Sequence, residues 1–169
     1  NAVINAVSRS SEEDKAVVAA GLLNELKQRR LDDNDEHLIP TVRTYNLVLS
    51  ACAFTSSEDE QVRRDAFRVA VDTLNQLRSR DEDMVNPDHV SYGMFLSSVR
   101  ALLPRNVKRD QLVKSVFRKC CQDGLVSDFV VDGVKELLPE NVWEEISTLG
   151  IKEEKEKEWC RNVNSKEGS

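Results

Sequence analysis

The chain has 169 residues, a net charge of −6, 32% charged and only 5% aromatic residues, with four prolines and six glycines. That length suffices for one domain with a real core, and the composition suits helix-on-helix packing better than a β-sandwich or a loop-rich scaffold. No run of 18 apolar residues offers a membrane span, and the acidic balance weighs against a generic polyanion binder, whose affinity comes mainly from Lys and Arg.

Helical periodicity runs through the sequence. The chain opens inside an apolar segment (Ala2, Val3, Ile4, Ala6, Val7), which reads as a helix already under way, so a fragment with any targeting peptide lying upstream is expected. Helices are predicted near 1–8, 12–30, 42–54, 58–80, 89–103, 108–123, 128–138 and 140–149. Ser10 with Glu13, and Ser57 with Glu60, have capping-box spacing. Thr41 after Pro40 and Asp88 after Pro87 are candidate N-caps, and Gly124 stands where a left-handed C-cap residue is expected. Residues 1–149 read as the folded domain. Residues 150–169, with the charge run Lys152 to Glu158, read as a flexible tail.

Two stretches repeat one another. Pro40-Thr-Val-Arg-Thr-Tyr45-Asn46-Leu-Val-Leu-Ser-Ala51 and Pro87-Asp-His-Val-Ser-Tyr92-Gly93-Met-Phe-Leu-Ser-Ser98 both read Pro, four residues, Tyr, then an apolar-periodic helix. The partner helices carry Ala66-Phe67 and Val116-Phe117 at matching places. A third copy opens at Gly124 to Asp128, and a truncated one comes first, where Asn1 to Ala6 align with Asn46 to Ala51. The spacings exceed the roughly 34 residues of a minimal two-helix repeat. The surplus falls in polar stretches, including the acidic run Asp81 to Asp83, where loops accommodate it. The expected fold is therefore all-α: a right-handed α-solenoid of stacked antiparallel helix pairs, about three repeats with the first truncated.

These residues resemble the pentatricopeptide-repeat family. The resemblance rests on Val42-Arg-Thr-Tyr45-Asn46-Leu-Val-Leu-Ser-Ala51-Cys52-Ala53, on Asp65-Ala66-Phe67 and on Val85-Asn86-Pro87-Asp88, and spans roughly residues 1–138. It implies a C-terminal fragment of an organellar protein of mitochondrion or chloroplast. The implied solenoid cradles single-stranded RNA in a groove lined by the first helix of each pair and acts in RNA processing or expression. Such arrays read about one base per repeat with two or three side chains. The reader positions implied by the family are the residue after the tyrosine and the last residue before the next repeat. Here they are Asn46 with Asp88, the family's combination for uracil, and then Gly93 with Asp128, where glycine offers no side chain.

The residues alone point the same way. Arg43, Asn46 and Ser50 share one face of their helix, and His89, Gly93, Ser97 and Arg100 share one face of the next. Stacked, these faces form a small polar stripe, which is either a solvated surface or a groove floor able to hydrogen-bond a ligand. Tyr45 and Tyr92 lie in the apolar rows and are expected to pack between helices. Between residues 89 and 128, seven basic residues stand against three acidic ones; they either contact phosphates or form the outer face of a helix.

Cys52, Cys120, Cys121 and Cys160 form no CxxC pair, and with only His37 and His89 beside them they offer no zinc-site spacing. No Ser-His-Asp set and no Gly-rich phosphate loop occurs. The expectation is a non-enzymatic RNA-binding module without metal or cofactor, with no DNA or membrane partner. The alternative is a protein-interaction scaffold of the tetratricopeptide kind.

Overall fold

A computed structural model describes residues 1–33, 39–79, 85–148 and 158–163. Among these residues the secondary structure is wholly helical. The helices are α1 (Ala2–Ser8), α2 (Lys15–Asp33), α3 (Val42–Ala53), α4 (Glu60–Arg78), α5 (His89–Leu102), α6 (Val107–Asp123), α7 (Asp128–Leu137) and α8 (Glu140–Thr148). The all-α expectation holds, and the predicted helices are all present with ends shifted by a few residues. The acidic run Asp81 to Asp83 lies outside the described residues.

Local chemistry explains where these helices begin and end. Thr41 and Asp88 are extended N-caps, and each forms a reciprocal capping box with the residue three positions on, Thr44 and Ser91. Gly124 takes φ 71°, the left-handed conformation that glycine adopts without cost. Leu125 N donates to Cys120 O and Gly124 N to Cys121 O, each at 3.1 Å, so the final carbonyls of α6 are satisfied in a Schellman arrangement.

Two predicted caps are corrected. Ser57 does not open α4: its hydroxyl accepts from Asp59 N and donates to Glu13, and Asp59 is the N-cap, accepting from Gln61 N at 2.7 Å. Ser10 belongs to the end of α1. Its hydroxyl donates to Val7 O, and α2 starts only at Lys15. In both places a serine in a turn satisfies the spacing without being at the cap.

The odd-numbered helices α1, α3, α5 and α7 pack one after the next. Helix α2 lies on α1, α3 and α4; α4 lies on α3 and α5; α6 lies on α5 and α7; α8 reaches α7. The period-3.6 rows supply one continuous core: Val48, Leu49 and Cys52 of α3, Ala66, Ala70 and Leu74 of α4, Phe95, Leu96 and Val99 of α5, and Val130 and Val134 of α7. Tyr45 and Tyr92 are buried in this core as expected. Tyr92 Oη donates to Asp123 across to the end of α6. Lys27 Nζ sits 4.9 Å above the Tyr45 ring and donates to Gln76 at 2.6 Å, tying α2 to α4.

The far end is closed by aromatics. Phe117 of α6 meets Trp143 of α8 edge-on at 5.7 Å and Trp159 at 5.8 Å. Trp159 O accepts from Val126 N, Asn162 N donates to Gly124 O, and the Arg161 and Asn162 side chains donate to Gln122 O and Asp123 O. Residues 158–163 therefore dock over the end of α6, where a flexible tail was expected, because carbonyls that α6 leaves open find donors there. The rest of the tail, at 150–157 and 164–169, lies outside the described residues.

Candidate functional site

Asn46 lies in the second turn of α3 and Asp88 caps α5. They are 42 positions apart in sequence, yet the packing of α3 on α5 brings them into contact. Asn46 Nδ2 donates to Asp88 Oδ1 at 3.1 Å and to Oδ2 at 3.2 Å. Near-equal distances to the two oxygens of one carboxylate fit a single N–H shared between them. The other end of the amide is held as well, because Ser91 Oγ donates to Asn46 Oδ1 at 2.6 Å. Ser91 Oγ also lies 2.9 Å from Asp88 Oδ1, but that oxygen already accepts from Ser91 N at 2.7 Å and from Asn46. The hydroxyl hydrogen thus goes to the shorter contact with Asn46. A carboxylate offers only acceptors, so the orientation of the amide follows from chemistry.

The cluster leaves capacity unused. A primary amide carries two N–H donors and an oxygen with two lone pairs. One donor and one lone pair are engaged, and because Ser91 Oγ and Asp88 Oδ1 lie only 2.9 Å apart both contacts fall on the same edge of the amide; the N–H and the lone pair that remain point away from one another. Asn46 and Asp88 are half-buried, and Ser91 is fully buried. Arg43 is exposed one turn before Asn46, and Ser50 is half-buried one turn after. Asn46, Asp88, Arg43 and Ser50 are thus placed together or on one helix face, as the sequence suggested.

The next candidate pair is arranged differently. Gly93 is buried, and a Cβ placed there would lie 2.2 Å from the ring of Phe129, which covers it from α7. The reading of Gly93 as an open contact residue is corrected on that ground. Asp128 is exposed but does not occupy the N-cap of α7. Ser127 does, accepting from Val130 N, so Asp128 sits one residue past the place that Asp88 holds on α5. Counted from its cap, the residue of α7 that corresponds to Asn46 is Asp132, which is exposed. Arg100, at the end of α5, is paired with Glu136.

Part of the basic segment is spent internally. Arg109 is only 6% exposed, and its Nη2 donates to Leu137 O at 3.0 Å, joining the start of α6 to the end of α7. Lys114 pairs with Glu145 and Lys119 with Asp123. Arg105, Lys108 and Arg118 are exposed. Burial thus removes Arg109 from the side chains of this segment that can meet a phosphate.

Cys52 and Cys120 are buried and Cys121 is half-buried, while Cys160 is exposed. Desolvation pushes Cys52 and Cys121 up to about 12, and Cys120 further still, so the vicinal pair stays protonated at neutral pH. Among the described residues, no three His, Cys, Asp or Glu side chains are grouped as a metal site would need, and no helix is long and apolar enough to cross a membrane. An open cleft of about 570 Å³ lies between the start of α4 and the end of α5, walled by Arg63, Arg64, Phe67, Leu103 and Pro104. Both arginines there are occupied, Arg63 by the carbonyls of Ser57 and Glu58 and Arg64 by Glu60.

Sequence reasoning did not single out two residues of this region, Ser91 and Phe129. Ser91 had a signal in its place three residues after a capping aspartate. The covering of Gly93 by Phe129 had none, because it joins residues 36 positions apart. No family model matches the chain, no curated protein matches it, and no solved structure matches it.

Proposed function

We propose that this chain is a single-stranded RNA-binding module of stacked helical repeats, arranged as a solenoid of the pentatricopeptide kind, which reads a pyrimidine at Asn46. The reading rests on one observation: Asn46 is held by Asp88 across two successive first helices with a donor and an acceptor left over. The remaining N–H of an amide so held can donate to a single acceptor on a base. Arg43, exposed one turn away, supplies a charge for the phosphate of the same nucleotide. The module is non-catalytic and works without metal or cofactor. The family resemblance places it in mitochondrion or chloroplast, in RNA processing or expression, with uracil as the base read.

The test is fluorescence anisotropy of a labelled uridine-rich single strand, titrated at low and moderate salt beside Asn46→Ala. Binding should weaken steeply with salt, and the variant should bind about fivefold more weakly, since one hydrogen bond contributes about 1 kcal/mol. Salt-sensitive binding unchanged in the variant would point instead to Arg105, Lys108 and Arg118.

A second reading, a protein-interaction scaffold, draws on the acidic net charge and on Phe129, which is 39% exposed in the row of helices that would face a ligand. An exposed aromatic in that place suits an apolar anchor of a peptide. Absence of RNA binding at low salt would move the assignment to this reading.

A further inference from the structure

We infer that the open cleft between the start of α4 and the end of α5 is a docking site for a peptide segment of a protein partner, one that carries a carboxylate close to a large apolar side chain. The site lies apart from Asn46. Asp88 caps the start of α5 and Leu102 ends it, so the cleft sits roughly 20 Å away along that helix, and neither role requires the other. The packing of the second helices leaves the opening. Helix α2 packs on α4, but α6 packs on α5 and α7 and makes no comparable contact with α4. Two local features turn α6 away. Pro104 has no N–H to continue α5 and holds Leu103 extended, at ψ 137°. Arg109 then ties the start of α6 to Leu137 O at the end of α7.

The cleft, about 570 Å³, is floored by Phe67 and by residues 101–104. Phe67 is braced from behind by the Phe95 ring, with 6.3 Å between centroids. The volume falls within the ~300–1,000 Å³ of small-ligand sites, which pair an apolar lining with a few placed polar groups. Two cations line it, and they differ. Arg64 is paired with Glu60. Arg63 Nη1 donates to Ser57 O at 2.7 Å and to Glu58 O at 2.8 Å, and among the described residues no carboxylate pairs with it. Those carbonyls hold the guanidinium still without cancelling its charge, and its other N–H groups keep the planar fork that suits a carboxylate. One fixed, uncompensated cation beside an apolar floor matches one carboxylate next to a hydrophobic anchor. A nucleic-acid strand draws its affinity from several cations, which this cleft does not supply.

The experiment is NMR of the ¹⁵N-labelled chain titrated with short synthetic peptides in a glycine–serine background. Each carries an aspartate with a leucine and a phenylalanine, adjacent or one helical turn apart, and each has a control with asparagine for the aspartate. The amide signals of Phe67 and of residues 101–103 should shift with an aspartate peptide. Its asparagine control should bind about tenfold more weakly, since a charge-assisted contact is lost. Arg63→Gln should erase that preference, and Arg63→Lys, which keeps the charge, should retain it. Ala101→Glu, at an exposed position, should melt as wild type does and abolish binding by placing a like charge in the cleft. The inference is overturned if no aspartate peptide shifts these signals at low salt, or if Arg63→Gln and Ala101→Glu bind as wild type does. It is also overturned if a uridine-rich strand shifts the same signals more strongly than any peptide. The RNA reading is judged separately, by Asn46→Ala.

Discussion

Gly93 and Phe129 offer a sharp test of the packing, because the same substitution should change sign with its background. Adding a methyl at Gly93 places a carbon 2.2 Å from the Phe129 ring, a distance no pair of carbons tolerates, so the ring must leave. Phe129 is 39% exposed, so about three-fifths of it is buried. Scaling the ~3–5 kcal/mol of a full Phe-to-Ala truncation by that fraction gives a loss of about 2–3 kcal/mol. Against this, alanine is favoured over glycine inside a helix by about 1 kcal/mol. Gly93→Ala should therefore destabilise the wild type by about 1–2 kcal/mol. In a Phe129→Ala background the obstacle is gone and only the propensity remains, so the same change should stabilise by up to about 1 kcal/mol. The coupling energy of the cycle would be about 2–3 kcal/mol. Urea denaturation of the four proteins, followed by far-UV circular dichroism, measures it. Equal effects of Gly93→Ala in both backgrounds would refute the account of Gly93 as a seat for the Phe129 ring.

Trp159→Ala should lower stability by about 2 kcal/mol. The side chain is only half-buried, so about half of a full Trp truncation applies, and the loss should appear as increased proteolysis near residues 158–163 together with a lower denaturation midpoint. Alkaline pH should destabilise the fold. The buried thiols Cys52 and Cys121 ionise near 9 when unfolded but near 12 when folded, and the burial of Tyr92, reinforced by its bond to Asp123, acts in the same direction. A raised folded value favours the protonated native state, so this stability is fully present below pH 9 and is lost as pH climbs toward 12. Melting temperatures across that window should fall, and Cys52→Ala should shallow the fall. A flat profile would contradict the burial of these groups.

Much of the helical layout was legible because the information is local. Thr41, Asp88 and Gly124 mark helix ends through chemistry confined to their own turns, and the apolar rows that include Tyr45 and Tyr92 repeat at 3.6 residues. Local ambiguity accounts for the cap errors. Ser57 and Asp59 are both good caps, and only the fold selects between them. The remaining misses are long-range. Arg109 counts as an exposed charge in any sequence reading until the carbonyl of Leu137 arrives beside it. The docking of Trp159 is masked by the charged run before it, since the open carbonyls of α6 that receive the segment leave no trace in its composition. The Asn46–Asp88 pair was legible through resemblance, and the part played by Ser91 was not, because a hydroxyl serving two helices looks in sequence like an ordinary cap.

The bridge between Asn46 and Asp88 also works as a gauge of length. It joins the second turn of α3 to the start of α5, which packs beside it, and a hydrogen bond of about 3 Å stretches little before it breaks. Any bending of the stack that widens the gap between α3 and α5 will release the amide before it disrupts the apolar contacts beneath, which yield gradually. The hydrogen-bonding state of the Asn46 amide is therefore tied to the spacing of α3 and α5.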